Sequence, residues 1–254
     1  MRKSIGAFGR SVLERLGLWV GRSVDIPYGV GWRHDLKRLI GHDSAATFFD
    51  VGANVGQTAE LLAESFPKAT IYSFEPVPAT FVELSRNTAG LSRVECVDLA
   101  LGATPGEATI TTDRNVLNTM TPDVSSQALT TVQVDTVDQF CARRTIKRVG
   151  LLKIDTEGFE VSVLQGAATM LAEGRIDFAL VECDFFRRPD EPHGDFFEVH
   201  DLLAPQGFRV VSFYTGGIDR RGWVWGDVLL MRQGCADHLP LTMSPFGPPV
   251  EPLL

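Results

Sequence analysis

Asp155, Glu157 and Glu160 fall within six residues of one another in the stretch LLKIDTEGFEVSVLQG, residues 151–166. Carboxylates held so close can accept hydroxyl hydrogens, take up a proton or bind a cation, and each of these lowers their mutual repulsion. A second acidic group, VECDFFRRPDEPHGDFF, adds Glu182, Asp184 and, a short loop away, His193. A histidine there could serve as a general base, because its reference pKa of about 6.5 lies near neutrality. Period two along a strand places Lys153 and Asp155 on one side, where they could form an ion pair of structural or catalytic use.

The elements that would position these residues follow from hydrophobic patterning. ATFFDV, ATIYSFE, RVECVDLAL, VGLLKID, IDFALVECD, FRVVSFY and WVWGDVLLM read as strands. VGQTAELLAESF, PATFVELSRNTA, FEVSVLQGAATMLAEG and GDFFEVHDLLAPQG read as the helices between them. This alternation predicts a parallel sheet covered on both faces, with the last two strands joined through GGIDRRG as an antiparallel hairpin. Residues 102–140 form an insertion in which EATITT and TTVQV flank a polar loop containing Asn115, Asn118 and Thr119. Trp223, Trp225, Phe48 and Phe49 are expected in the core.

The loop FFDVGANVGQTAELL carries the spacing D-x-G-x-N-x-G, with Asp50 at the strand end and Gly52, Asn54 and Gly56 in the turn. Glycine permits a sharp turn and close ligand approach, and asparagine tolerates left-handed geometry at modest cost. A dinucleotide fingerprint would need glycine at position 57, where Gln57 stands, so an NAD-type oxidoreductase is the weaker enzyme alternative. Glu75, ending the second strand, can accept the hydroxyl hydrogens of a ribose. At the third strand's end, Asp98 could accept from an adenine's exocyclic amine, and small Ala100 leaves room for its ring.

DVGANVGQT, SFEP, DLALG, VQVDTVDQF and above all LLKIDTEGFEVSVLQGA together resemble the FkbM-type family of S-adenosylmethionine-dependent methyltransferases, over about residues 46 to 231. The resemblance implies an α/β fold of the class I methyltransferase (Rossmann-like) type, a doubly wound seven-stranded sheet with its last strand pair antiparallel. It also implies O-methylation of a sugar-like or natural-product hydroxyl. Asp50, Glu75, Asp98, Asp155 and Glu182 all stand at or next to carboxyl ends of strands, where such a sheet binds its ligand. An acidic rim suits the sulfonium and ammonium of S-adenosylmethionine and would repel a pyrophosphate. Asp50, Gly52, Asn54, Gly56, Glu75, Asp98 and Ala100 are thus expected at the cofactor, and Asp155, Glu182 and His193 at the reacting hydroxyl. Asp155 with Glu182 or Asp184 could instead hold a divalent cation. Thr156 is expected to cap a helix beginning near Glu157, and Glu160 to favour that helix's dipole. A module that binds the cofactor but lacks catalysis is the alternative outside enzymes.

The 254 residues carry a formal charge of −8, which argues against nucleic acid as a partner. Cys96, Cys141, Cys183 and Cys235 are too scattered for a zinc site or disulfide framework and suit a reducing, cytoplasmic setting. Residues 1–45 read as an N-terminal helical extension, 46–232 as the methyltransferase domain and 233–254 as a proline-rich tail. Ile5, Phe8, Val12, Leu16 and Trp19 share a helical face that could pack on the domain or on a second copy. No stretch reaches the ~20 apolar residues of a membrane span.

Overall fold

A computed structural model describes residues 26–42, 44–111, 129–186, 194–220 and 222–235. Expectations for His193, for Asn115, Asn118 and Thr119, for the apolar face within residues 1–25 and for the tail from residue 236 lie outside the described residues.

Helix α1 (Trp32–Ile40) is followed by β1 (Thr47–Val51), α2 (Gln57–Ser65), β2 (Thr70–Phe74), α3 (Pro78–Asn87) and β3 (Val94–Val97). Next come β4 (Ala100–Leu101), β5 (Gly106–Thr111), β6 (Leu129–Asp135), α4 (Val137–Arg144), β7 (Val149–Ile154), α5 (Glu160–Gln165) and α6 (Ala168–Ala172). The described chain then continues through β8 (Ile176–Asp184), α7 (Phe196–Leu203), β9 (Phe208–Asp219) and β10 (Gly222–Arg232).

The main sheet has seven strands in the order β3-β2-β1-β7-β8-β10-β9. Strands β3, β2, β1, β7 and β8 run parallel, and β10 lies antiparallel between β8 and β9. Apolar residues alternate onto two cores. Phe49, Leu152, Val181 and Val228 meet helices α4 to α7 on one face; Phe48, Leu151, Leu180 and Leu229 meet α1 and α2 on the other. Within the expected N-terminal extension, α1 joins this second core through Leu36, Leu39 and Ile40. Its buried Asp35 accepts hydrogen bonds from Gly29 N–H and the Tyr214 hydroxyl, both at 2.7 Å.

Four elements differ from the sequence expectation, each for a local reason. RVECVDLAL divides at Asp98: Val94–Val97 joins the main sheet, while Ala100–Leu101 pairs with β6 in a separate sheet, β4-β6-β5. The helix expected over residues 159–174 breaks at Gly166. The Asp138 carboxylate accepts from Thr169 N–H (2.7 Å) and Met170 N–H (2.9 Å), capping a new helix there. Helix α4 was not expected; the Thr136 hydroxyl caps it by accepting from Gln139 N–H at 3.1 Å. Finally, the GGID residues expected in a turn continue β9, which extends to Asp219 and pairs there with Gly222 of β10.

Candidate active site

The turn after β1 is pinned from both sides. Gly52 and Ala53 N–H donate to Phe74 O at 3.1 and 2.9 Å, and Asp155 N–H donates to Val51 O at 3.0 Å. Gly52 has φ +79°, and a Cβ on it would stand 1.8 Å from the Asp155 carbonyl oxygen. The backbones of the two loops therefore cross where no side chain fits. Asn54 takes the left-handed φ of 48° that its side chain tolerates. Its N–H donates to Glu75 Oε2 at 3.0 Å, and Val77 N–H donates to Glu75 Oε1 at 2.9 Å. Burial pushes the Glu75 carboxyl up, against the pull of these two amides. Each Glu75 oxygen retains a second lone pair for a ligand hydroxyl. Asp98 is exposed just beyond β3, and Ala100 is partly buried at the start of β4.

Asp50 is fully buried and faces Lys153 rather than open space. Lys153 Nζ lies 3.5 Å from Asp50 Oδ1 and 2.9 Å from Asp155 Oδ2. Burial raises the Asp50 carboxyl above its usual range, with Lys153 opposing. Burial alone would lower the Lys153 ammonium, but Asp50 and Asp155 more than reverse this and hold it charged. Both the ion pair and the shared face of Lys153 and Asp155 anticipated from period two are present.

Glu182 lies directly opposite Asp227 in the β8–β10 register. Burial, followed by the charges of Asp155, Glu157 and Asp227, pushes the Glu182 carboxyl up to about 9, which favours a proton shared between Glu182 and Asp155 near neutral pH. Burial likewise pushes Asp227 to about 6, with Lys153 pulling it down and Asp155 pushing it up. Sequence reading missed Asp227. A lone acid inside the otherwise apolar GDVLLM run, on the face shared with Leu229, was the available signal. Asp155, Glu157 and Glu182 each present an oxygen within 4.8 Å of the others, a spacing compatible with a shared proton or a divalent cation. Asp184 is buried beyond this group and forms a β-bridge with Asp195.

Glu160 stands in the first turn of α5, as expected, but it is buried, at 2% exposed. Its carboxylate accepts from Thr156 N–H and Oγ1–H (both 2.9 Å), from Gly158 N–H (3.1 Å to Oε2) and from Gly194 N–H (3.0 Å). Thr156 thus donates to Glu160 instead of capping the helix, which begins only at Glu160 because Glu157 and Gly158 take positive φ values of 53° and 113°. Trp223 and Trp225 also depart from expectation. They are 39% and 41% exposed, because the amino-terminal end of β10 reaches past the last core layer.

A doubly wound sheet of this order, with acids gathered at the carboxyl ends of its parallel strands, defines a class I methyltransferase fold. The chain belongs to the FkbM methyltransferase family: the family model described as "Methyltransferase FkbM domain" matches residues 50–210. It is 30% identical over 203 residues to Methyltransferase 1 of Beauveria bassiana, covering 70% of this chain and 76% of that one. It is 27% identical over 208 residues to Methyltransferase sdnD of Sordaria araneosa, covering 68% and 75%. Hexuronic acid methyltransferase AglP of Haloferax volcanii is 27% identical over 135 residues, covering 53% of this chain and 54% of that one.

S-adenosylmethionine is the methyl donor of this family. The residues present fit it in chemistry. Glu75 offers a fixed acceptor pair to a ribose, and Asp98, Asp155 and Glu157 keep an acidic rim exposed or half-exposed toward a cationic ligand.

Proposed function

We propose that the chain is an O-methyltransferase acting on a hydroxyl of a sugar-like or natural-product small molecule. The observation that carries this reading is the gathering of Asp155, Glu157 and Glu182 within 4.8 Å at the mouth of β7 and β8, beside the glycine turn. When bound, S-adenosylmethionine supplies an electrophilic methyl group on a sulfonium leaving group. Gly52, Asn54 and Gly56 would let the backbone approach it, Glu75 would accept its ribose hydroxyls, and Asp98 and Ala100 would border its adenine. Asp50 would act through Lys153, whose ammonium fixes the direction of the Asp155 carboxylate. Asp155 then orients the acceptor hydroxyl and takes its proton as charge leaves the oxygen. Glu182, protonated, donates to Asp155 and keeps that carboxylate from being repelled out of the cluster.

The sugar ring, not the carboxylate, of the hexuronic acid named for the Haloferax relative is what supports a sugar-like acceptor here. The buried thiols of Cys141, Cys183 and Cys235 support a reducing, cytoplasmic setting. Among the described residues no helix is long and apolar enough to cross a membrane. Calorimetry with S-adenosylmethionine, S-adenosylhomocysteine and NAD, followed by product analysis of methylated acceptors, tests the reading. Binding of NAD alone, or methyl groups found on nitrogen or carbon, would overturn it. The same 4.8 Å cluster favours a second reading, in which a divalent cation lowers the pKa of the acceptor hydroxyl. Loss of turnover on chelation, restored by Mg²⁺, would assign the cluster that role.

A further inference from the structure

Strand β10 pairs with β8 without interruption from Trp225↔Asp184 to Met231↔Phe178, so Trp225, Asp227 and Leu229 share one face. Glu182 and Leu180 share that face of β8, and both leucines enter the core beneath it. Along β10, two strand residues, roughly 7 Å of backbone, separate Trp225 from Asp227, about the span of one sugar ring.

Among the described residues, the indole rests on Gly216 and Gly217 of β9. A Cβ built on Gly216 would lie 2.0 to 2.6 Å from Cζ3, Cε3 and Cη2 of Trp225, and one on Gly217 would lie 2.5 Å from Nε1. The ring therefore lies flat against the Gly216–Gly217 backbone, which any larger residue would push away. Among the described residues it has no aromatic ring partner, unlike Trp223, which packs on Phe185 and Phe213. Yet it is 41% exposed. An aromatic ring bedded on glycine backbone, partly exposed and with Asp227 two residues along the same strand face, offers a π face and a hydrogen-bond acceptor together.

We propose that Trp225 is the stacking platform for the acceptor, and that the acceptor is a neutral pyranoside. Its C–H face lies on the indole while a ring hydroxyl donates to Asp227, two residues along the same strand face. The slightly positive ring hydrogens of a pyranose complement the negative π face. Its rim of hydroxyl donors matches ionised acids, which only accept. A uronate would bring a further negative charge to this rim and be repelled. The proposal rests on the O-methyltransferase reading and names the substrate class for it.

The experiment is saturation-transfer NMR on the full chain with S-adenosylhomocysteine, using methyl β-D-glucopyranoside and methyl β-D-galactopyranoside as probes beside methyl β-D-glucuronide and catechol. Release of S-adenosylhomocysteine from S-adenosylmethionine is measured in parallel. Saturation of the ring C–H protons of a neutral pyranoside is expected in the parent protein and in Trp225→Phe. It should be lost in Trp225→Ala, whose melting temperature should match the parent's, and in Gly216→Ala, whose added methyl displaces the indole. For a pyranoside that turns over, Trp225→Ala should raise KM about tenfold with kcat little changed. Saturation or KM unaltered in Trp225→Ala, preference for the glucuronide or for catechol, or no saturation of any neutral pyranoside would each overturn the proposal. Methylation of catechol without pyranoside binding sinks the platform and leaves the transferase reading standing. Trp225-dependent pyranoside binding without any methyl transfer does the reverse.

Discussion

Replacing Lys153 with Met keeps the length of the side chain and removes the ammonium that lies 3.5 Å from Asp50 and 2.9 Å from Asp155. The two carboxylates do not suffer equally. The Asp155 side chain is 36% exposed and can recover water, whereas Asp50 is fully buried and cannot. Breaking a buried pair while leaving one charge behind costs about 3–5 kcal/mol. For a chain of this size that is roughly 6–20 °C in Tm. Asp50 can escape part of the cost by taking a proton, and burial already raises its carboxyl even with Lys153 present. An acid whose pKa is higher in the folded chain binds more protons folded than unfolded between the two values, so stability rises as pH falls through that window. The deficit of Lys153→Met should therefore be largest near neutrality and shrink on acidification toward the ordinary aspartate range. Urea unfolding at several pH values reads this directly, and adding Asp50→Asn should restore most of the loss at neutral pH. A Lys153→Met variant within about 1 kcal/mol of the parent near neutrality would refute the reasoning, since the buried-pair estimate leaves no room for so small an effect.

Three further outcomes are expected. Glu182→Gln should gain stability over the parent as pH rises from the unfolded glutamate range through about 9, because the parent must ionise Glu182 among other acids and the variant need not; parallel pH-dependent melting curves would contradict this. Gly52→Ala places a methyl 1.8 Å from the Asp155 carbonyl at a φ of +79°, so calorimetry should show S-adenosylhomocysteine binding weakened more than about tenfold, and unchanged affinity would count against the turn as cofactor site. Glu160→Gln exchanges an acceptor for an N–H₂ facing N–H donors and should cost about 1.5–3 kcal/mol in urea unfolding, a loss that should not depend on added cofactor.

Patterns of period two and 3.6 made the main sheet and most of its helices readable, because each strand alternates between two apolar cores and each strand end follows from the next turn residue. The acids at those ends were readable for the same reason. What escaped depended on contacts distant in sequence. Part of the cover over Glu160 comes from Gly194, 34 positions on, whose N–H donates to its carboxylate. The split between α5 and α6 depends on Asp138, reaching across 31 residues to Thr169. The partition of VECVDLAL between two sheets depends on β6 competing for Ala100 and Leu101. Two missed features did leave local signals. Thr136 and Gln139 carry the spacing of a helix start, and Asp227 interrupts an apolar strand.

The Glu160 carboxylate has a further consequence. Asp184 N–H donates to Gly194 O at 2.9 Å, Asp184 bridges Asp195, and Gly194 N–H returns to Glu160. The chain therefore leaves β8 and re-enters α7 through one clasped doorway, with its jambs fixed by backbone groups and by an acid belonging to a different loop. Loss of either bond at Gly194 would free the end of β8 beside Glu182, two residues back from Asp184.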